Sequence, residues 1–211
     1  MYYTLNAIIL KRQNFKDDDL LITVYSLERG KIVLQAKGAK KIKSKLAGHL
    51  EPLTFSCLNI IHGKHIDQLI GAQIIQSYHC LKSNLMLVGY ANYFVELIYE
   101  LTHEQYPDQQ VFNLLKKSLD FLDKADINSC KIARISFGFK LLHLLGFDSS
   151  VNTQLALNQE ISYIVKNTIN SISQNKNIIK NLSQINQILN QELENNLEKE
   201  IKTKEFLKQI T

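Results

Sequence analysis

Two rhythms of apolar residues divide the chain. In the first 77 residues, apolar and polar positions trade places over short runs. These are Thr4–Arg12, Leu20–Leu27 (LLITVYSL), Lys31–Ala36 (KIVLQA), Leu53–Ile61 (LTFSCLNII) and Ile66–Ser77 (IDQLIGAQIIQS). Within KIVLQA, Ile32, Leu34 and Ala36 share one face, the period-2 mark of a half-buried strand. Gly30, Gly38 and Gly63 punctuate the runs, and HGKH makes the turn between the last two. Five short strands suit a closed barrel better than an open sheet, because closure removes exposed edges. The long connection 37–52 falls between the third and fourth strands, as in a five-stranded OB barrel; an SH3-like barrel fits nearly as well.

From Cys80 the period lengthens to about 3.6. Leu81, Leu85, Val88, Tyr93, Val95 and Leu101 predict one long helix ending near His103. Pro107 and Asp108 predict the start of a second, with Val111, Leu114, Leu115, Leu119 and Leu122 as its stripe. A third runs over Cys130–Leu145, with Ile132, Ile135, Phe139, Leu142 and Leu145 on its face and Gly146 as its stop. Residues 151–200 hold 11 Asn and 6 Gln, a bias that by itself suggests disorder. The aliphatics argue otherwise. Ile161, Ile164, Val165, Ile169 and Ile172, then Ile178, Leu182, Ile185 and Leu189, keep helical spacing and predict two further helices. The expected fold class is α+β: an N-terminal five-stranded OB-fold β-barrel over 1–79, followed by an α-helical bundle domain over 80–211.

Charge sharpens this division. Residues 1–80 carry 11 cations and 6 acids, whereas 81–211 carry 14 of each, so the whole net charge of +5 belongs to the strand-rich part. Seven cations (Arg29, Lys31, Lys37, Lys40, Lys41, Lys43 and Lys45) form an acid-free run between Glu28 and Glu51. Such a run attracts polyanions, and lysines suit backbone phosphates more than base edges. Lys11 and Arg12, at the end of the first strand, extend the candidate contacts. Tyr25, Phe55 and Phe15 are the nearest aromatics, but each reads as core or turn rather than as a stacking platform. On the third helix Lys131, Arg134 and Lys140 sit among Phe137, Phe139 and Leu141. Arg134, Phe137, Lys140 and Leu141 could rim a groove for an acidic or amphipathic peptide.

Other candidates are weaker. Asp17, Asp18 and Asp19 read as a polar turn rather than a cation site. His62 and His65 lack the two further ligands a structural zinc needs, and Cys57, Cys80 and Cys130 are too scattered for a disulfide framework. No phosphate loop of the NTPase kind, nucleophile elbow or zincin motif is present, and no enzyme activity or cofactor is expected. The four-residue apolar run Ala7–Leu10 is too short for a signal peptide, and no span suits a membrane, so a soluble cytoplasmic protein is expected.

The stretch AIILKRQNFKDDDLLITVYSLERGKIVLQAKGAKKIKSKLAGHLEPLTF resembles the N-terminal OB domain of the recombination mediator RecO family. The resemblance rests on a first strand ending in a cation, a polar acidic turn and a leucine-rich strand. There follow Gly30-Lys31, then Lys37-Gly38-Ala39-Lys40-Lys41, Lys43-Ser44 with Leu46, and Pro52. FKLLHLLGF (Phe139–Phe147) and, more loosely, EIKTKEFLKQ at the C-terminus are also similar to the family. Many members carry two cysteine pairs after the Leu-Gly-Phe element that bind zinc. Here DSSVNTQLALNQE follows without cysteine, which implies no zinc and a reduced subregion near 148–160. The resemblance implies a non-enzymatic protein of the bacterial nucleoid that binds ssDNA and dsDNA and anneals complementary strands. It also implies contact with the C-terminal tail of the single-strand-binding protein and, together with RecR, help in loading RecA. An OB-type RNA- or ribosome-associated protein would use the same lysines, so charge alone leaves that alternative open.

Overall fold

Alternation becomes a barrel. The computed structural model describes residues 1–147, 157–197 and 199–210. Among these, the strands are β1 (Tyr2–Phe15), β2 (Asp19–Ser26), β3 (Gly30–Ala36), β4 (Phe55–Ile61) and β5 (Gln68–Gln76). They close in the order β1-β2-β3-β5-β4, which is that of the OB barrel. β1 is long enough to serve two neighbours: Tyr2–Ile8 pairs antiparallel with β4, and Ala7–Phe15 with β2. β3 and β5 meet in parallel at Gln35 and Gln68. Leu5, Ala7, Ile9, Leu20, Ile22, Val24, Leu34, Leu58, Ile60 and Leu69 fill the interior. The α+β class follows directly, since the described helices with more than one turn come after the barrel strands.

Asp67 pins one end of the barrel. It accepts hydrogen bonds from the Tyr3 hydroxyl and the Gly63 backbone N–H (3.1 Å), and its Oδ1 lies 3.1 Å from His62 Nδ1. Arg29 approaches Asp67 at 3.7 Å and stacks 4.2 Å above the Tyr3 ring. Burial alone would raise the Asp67 carboxyl, but hydrogen bonds from Tyr3, Gly63 and His62 hold it below its usual range. The same burial and the partner carboxylate push Tyr3 up to about 12.

The chain forms two compact units: Met1–His79 with Thr102–Lys116, and Cys80–Leu101 with Lys117–Thr211. Thr102–Lys116 joins the barrel for physical reasons. The Gln105 N–H donates to Lys31 O at 2.9 Å, and Phe112 meets Phe55 edge-on at 5.9 Å. Gly30 sits at φ +65°, and a Cβ there would lie 2.2 Å from Tyr106 O, so only glycine admits this approach.

In the second unit the expected single first helix is two: α1 (His79–Lys82) and α2 (Leu85–Leu101). The side chain of Asn84 accepts from the Met86 (2.9 Å) and Leu87 (3.4 Å) backbone N–H groups and restarts the helix. α3 (Gln109–Leu122) is divided between the units after Lys116 and is opened by Asp108, which accepts from Gln110 and Val111 N–H. α4 (Ile127–Leu144) is capped by Asp126 on Ser129 N–H and ends at Gly146 (φ +79°). It is central, packing against α2, α5 (Asn158–Lys166), α6 (Ile169–Ser173) and α8 (Leu182–Asn196). The two Asn-rich helices expected after residue 160 are four in the structure. Thr168 caps α6 and Asn175 caps α7 (Lys176–Lys180), so these polar residues begin helices instead of wetting long ones. α9 (Lys202–Ile210) packs on α2, where Glu96 caps it by accepting from Lys202 and Thr203 N–H, each at 2.9 Å. Most of the expected reduced zinc subregion, 148–156, lies outside the described residues.

Candidate nucleic-acid interface

The basic connection is built on the barrel rather than hung from it. Ala39 and Leu50 are buried in the barrel core, with Leu46 packed against it. Asp19, at the start of β2, accepts from the Gly38 N–H (2.8 Å) and from Gln35 Nε2 (2.7 Å). The hydrogen bond from Gly38, supported by Gln35, Lys16 and Lys37, holds its carboxyl below the usual range. Lys40 N–H donates to Asp18 O at 3.0 Å, and Lys41 Nζ lies 3.7 Å from Asp18 Oδ2. The acidic triplet is therefore a turn, as expected, but one that braces the basic loop. At the far end of the loop, Leu53 N–H and Ile9 O (2.9 Å), then Ile9 N–H and Thr54 O (2.9 Å), clip it back to β1. That clip sits at the β1 bulge between Ile9 and Lys11.

This anchoring collects cations. Lys37, Lys40, Lys41, Lys43 and Lys45 are all exposed. Lys43 and Lys45 have no carboxylate within ion-pair distance among the described residues. Lys11 and Arg12 are exposed on the outer half of β1, and Arg12 reaches Glu51 in the loop at 2.6 Å. Lys16 joins them, a residue the sequence pattern did not single out. It occupies the β1–β2 turn at φ +52°, and Lys40 Nζ lies 3.4 Å from its carbonyl. Its one sequence signal was position, in the hairpin turn opposite the start of the loop.

Two expected contacts stand apart. Arg29 follows the other end of β2, so the length of that strand, roughly 20 Å, separates its backbone from the loop's anchor at Asp19. Its guanidinium is committed to Tyr3 and Asp67. Lys31 is only 8% exposed, because its strand position lies beneath Glu104 and Gln105. Neither belongs with the exposed lysines, although both lie in the same acid-free run. The candidate aromatics also fall as read: Tyr25 is buried, and Phe15 and Phe55 are half-buried.

The helical unit carries a second candidate. A cleft of about 540 Å³ has Tyr90, Ile135, Ile179, Leu182 and Leu207 as its apolar lining. Lys131, Arg134, Lys180 and Lys204 supply cations; Lys204 is also paired with Glu194, its Nζ 2.9 Å from Oε1. Arg134 is held by donating to Asn186 Oδ1 at 2.6 Å and lies 5.4 Å from the Tyr93 ring centroid. The other expected rim residues are elsewhere. Phe137 stacks on Phe94 at 4.2 Å and is 1% exposed; Leu141 is fully buried. Lys140 donates to Asn167 O at 2.5 Å, and burial, reinforced by Lys117, pulls its pKa down. The reason is common to all three: α4 is central, buried on every side from Ile135 to Phe139, so a residue opposite its obvious stripe still meets a neighbour. Lys180 and Lys204 were not foreseen, because only the packing of α7 and α9 brings them beside Arg134.

Among the described residues, no group of three His, Cys, Asp or Glu side chains could hold a metal ion, and no helix is long and apolar enough to cross a membrane. Comparison with known proteins places the chain. Residues 1–78 match the family described as recombination protein O N terminal, and residues 83–162 match recombination protein O C terminal. A DNA repair protein RecO of Clostridium novyi is 33% identical over 141 residues, covering 67% of this chain and 55% of that one. Its counterpart in Pelotomaculum thermopropionicum is 32% identical over 145 residues (69% and 56%). That of Desulforamulus reducens is 32% identical over 159 residues (75% and 61%). The chain thus matches less than two thirds of the length of these relatives. With a basic loop anchored on an OB barrel, a helical unit behind it in sequence and both family models matched in order, the chain belongs to the RecO family.

Proposed function

We propose that this protein is a DNA-binding mediator of recombinational repair, and that the braced lysine loop is its nucleic-acid contact. The observation that carries this reading is the array Lys37, Lys40, Lys41, Lys43 and Lys45. It is exposed on a loop whose base is buried, with Lys11, Arg12 and Lys16 on the adjoining β1 end and turn. Fixed cations at the spacing of a loop engage phosphates without reading bases, so ssDNA and dsDNA are both bound with little sequence preference. Two strands held on one positive surface repel each other less, and base pairing then selects the register; that is annealing. The cationic cleft around Arg134 accepts the acidic C-terminal tail of a single-strand-binding protein: carboxylates at the lysine and arginine rim, apolar side chains on the floor. Acting with RecR, the protein would then help RecA onto DNA that the single-strand-binding protein has coated.

Fluorescence anisotropy of a labelled single strand, titrated across salt concentrations, tests the loop. Log K for the native protein falls by roughly 0.7 per phosphate contacted as log salt rises. The variant with Lys40, Lys41, Lys43 and Lys45 all changed to Glu loses most of that slope. Equal slopes for the two proteins would remove the loop from the interface. Tighter binding of structured RNA than of single-stranded DNA at matched salt would favour an RNA-directed role.

A further inference from the structure

Within the basic loop one side chain contradicts its surroundings. Ile42 has a relative exposure of 104%, that of an isoleucine with no neighbours at all, and it stands between Lys41 and Lys43. The loop's other described aliphatics do the opposite: Ala39 and Leu50 are buried in the barrel and Leu46 packs against it. The backbone explains the contrast. Lys41 N–H donates to Gly38 O at 3.1 Å, and Ser44 N–H donates to Lys41 O at 2.8 Å. Two successive turns put Ile42 and Lys43 at the central positions of the second, where side chains splay outward. Gly38, at φ +62° and bonded to Asp19, ties the start of the first turn to β2, and Ala39 within that turn is buried in the barrel core. The exposure of Ile42 is thus set by a braced backbone.

We propose that Ile42 is a wedge that enters between neighbouring bases of bound DNA while the flanking lysines hold the phosphates on either side. This rests on the reading of the loop as the nucleic-acid contact and adds a residue that meets bases. Lysines that draw a phosphate chain to the apex bring Ile42 against what lies inside that chain, the sugars and the base stack. An aliphatic side chain parts a base step by replacing stacking with its own apolar contact. The arrangement favours DNA over an anionic lipid surface. A membrane needs a broad apolar face or a long chain to retain a protein, whereas this apex offers one side chain. A wedge also suits a protein that anneals strands: partly unstacked bases are presented for pairing, with no demand for a particular base.

The test uses the full chain and single strands carrying 2-aminopurine, whose fluorescence rises when it is unstacked. The native protein raises that fluorescence on binding. Ile42→Ser binds about tenfold more weakly at every salt concentration, with the slope of log K against log salt unchanged, and the fluorescence rise disappears. Ile42→Met restores both. Ile42 touches nothing in the fold, so these variants stay folded, and equal melting temperatures verify it. If Ile42→Ser binds like the native protein with an undiminished rise, the wedge is wrong and the phosphate contact stands. If the native protein binds no strand, the wedge falls together with the DNA reading. If Ile42→Ser loses binding to vesicles of phosphatidylserine and phosphatidylcholine but keeps strand binding intact, the apex serves a lipid surface and the wedge is overturned.

Discussion

The protein places cations in two settings that use them differently. On the barrel, the loop from Lys37 to Lys45 spreads them over exposed turns. In the helical unit, Lys131, Arg134, Lys180 and Lys204 gather at the edge of an apolar cleft, on a segment whose cations and acids balance. The first arrangement suits a ligand that is a line of charges, since affinity accrues from many weak, screened contacts. The second suits a ligand with a charged end and an apolar body, since one placed guanidinium beside an apolar floor discriminates shape as well as charge. Net charge by segment is enough to reveal the first setting. The second is invisible to it, because Lys180 and Lys204 join Lys131 and Arg134 only through packing.

The sharpest way to break the comparison is to exchange the sign of one setting and read both ligands. Reversing Lys40, Lys41, Lys43 and Lys45 to Glu should weaken single-strand binding by about a thousandfold at 50 mM salt. Binding of a short acidic peptide ending in a free carboxylate should stay unchanged; isothermal titration calorimetry for the peptide and anisotropy for the strand give the two readings. Next in size is Phe137→Ala. Phe137 is core, stacked on Phe94, so its truncation should cost about 3–5 kcal/mol in chemical denaturation. A surface residue at a groove would cost almost nothing, and a change below about 1 kcal/mol would return Phe137 to the rim.

Arg134→Glu is the converse of the lysine reversal. It should weaken acidic-peptide binding by at least about tenfold while leaving strand affinity within twofold. Loss of strand binding instead would merge the two settings into one surface. The smallest effect concerns the loop's brace. Because Asp19 is held ionised below its usual range, its hydrogen bond to Gly38 stabilises the fold above about pH 4 and is lost as acid protonates it. The melting temperature of the native protein should therefore fall more steeply than that of Asp19→Asn as pH drops below about 4. Parallel curves would mean the carboxylate contributes nothing to the loop.

What could be read from the residues, and what could not, divides along the same line. Strand residues announce themselves because each needs only its immediate alternation: Ile32, Leu34 and Ala36 face inward whatever strand lies beside them. Braced loops are partly legible. The lysine run and the Asp triplet are both visible in sequence, but that Asp18 and Asp19 hold Gly38 and Lys40 depends on a hairpin aligning them. The central helix was the least legible. Its apolar residues lie on all sides, so reading one stripe left Phe137 and Leu141 apparently outside. Helix ends inside the Asn-rich segment were missed for a related reason: Thr168 and Asn175 look like wet-face residues until their side chains are seen to accept from the next turn.

The segment Thr102–Lys116 carries a practical consequence for dissecting this protein. It supplies Gln105 to the edge of β3, Tyr106 over Gly30 and Phe112 beside Phe55. A fragment cut after residue 79 would strip away that cover. It would present the bared β3 edge and the Phe55 ring to solvent, and so would tend to aggregate in the test tube. Dissection into halves thus needs a barrel fragment that retains this distant stretch, joined through a short artificial linker, because the boundary in space is not a boundary in the gene.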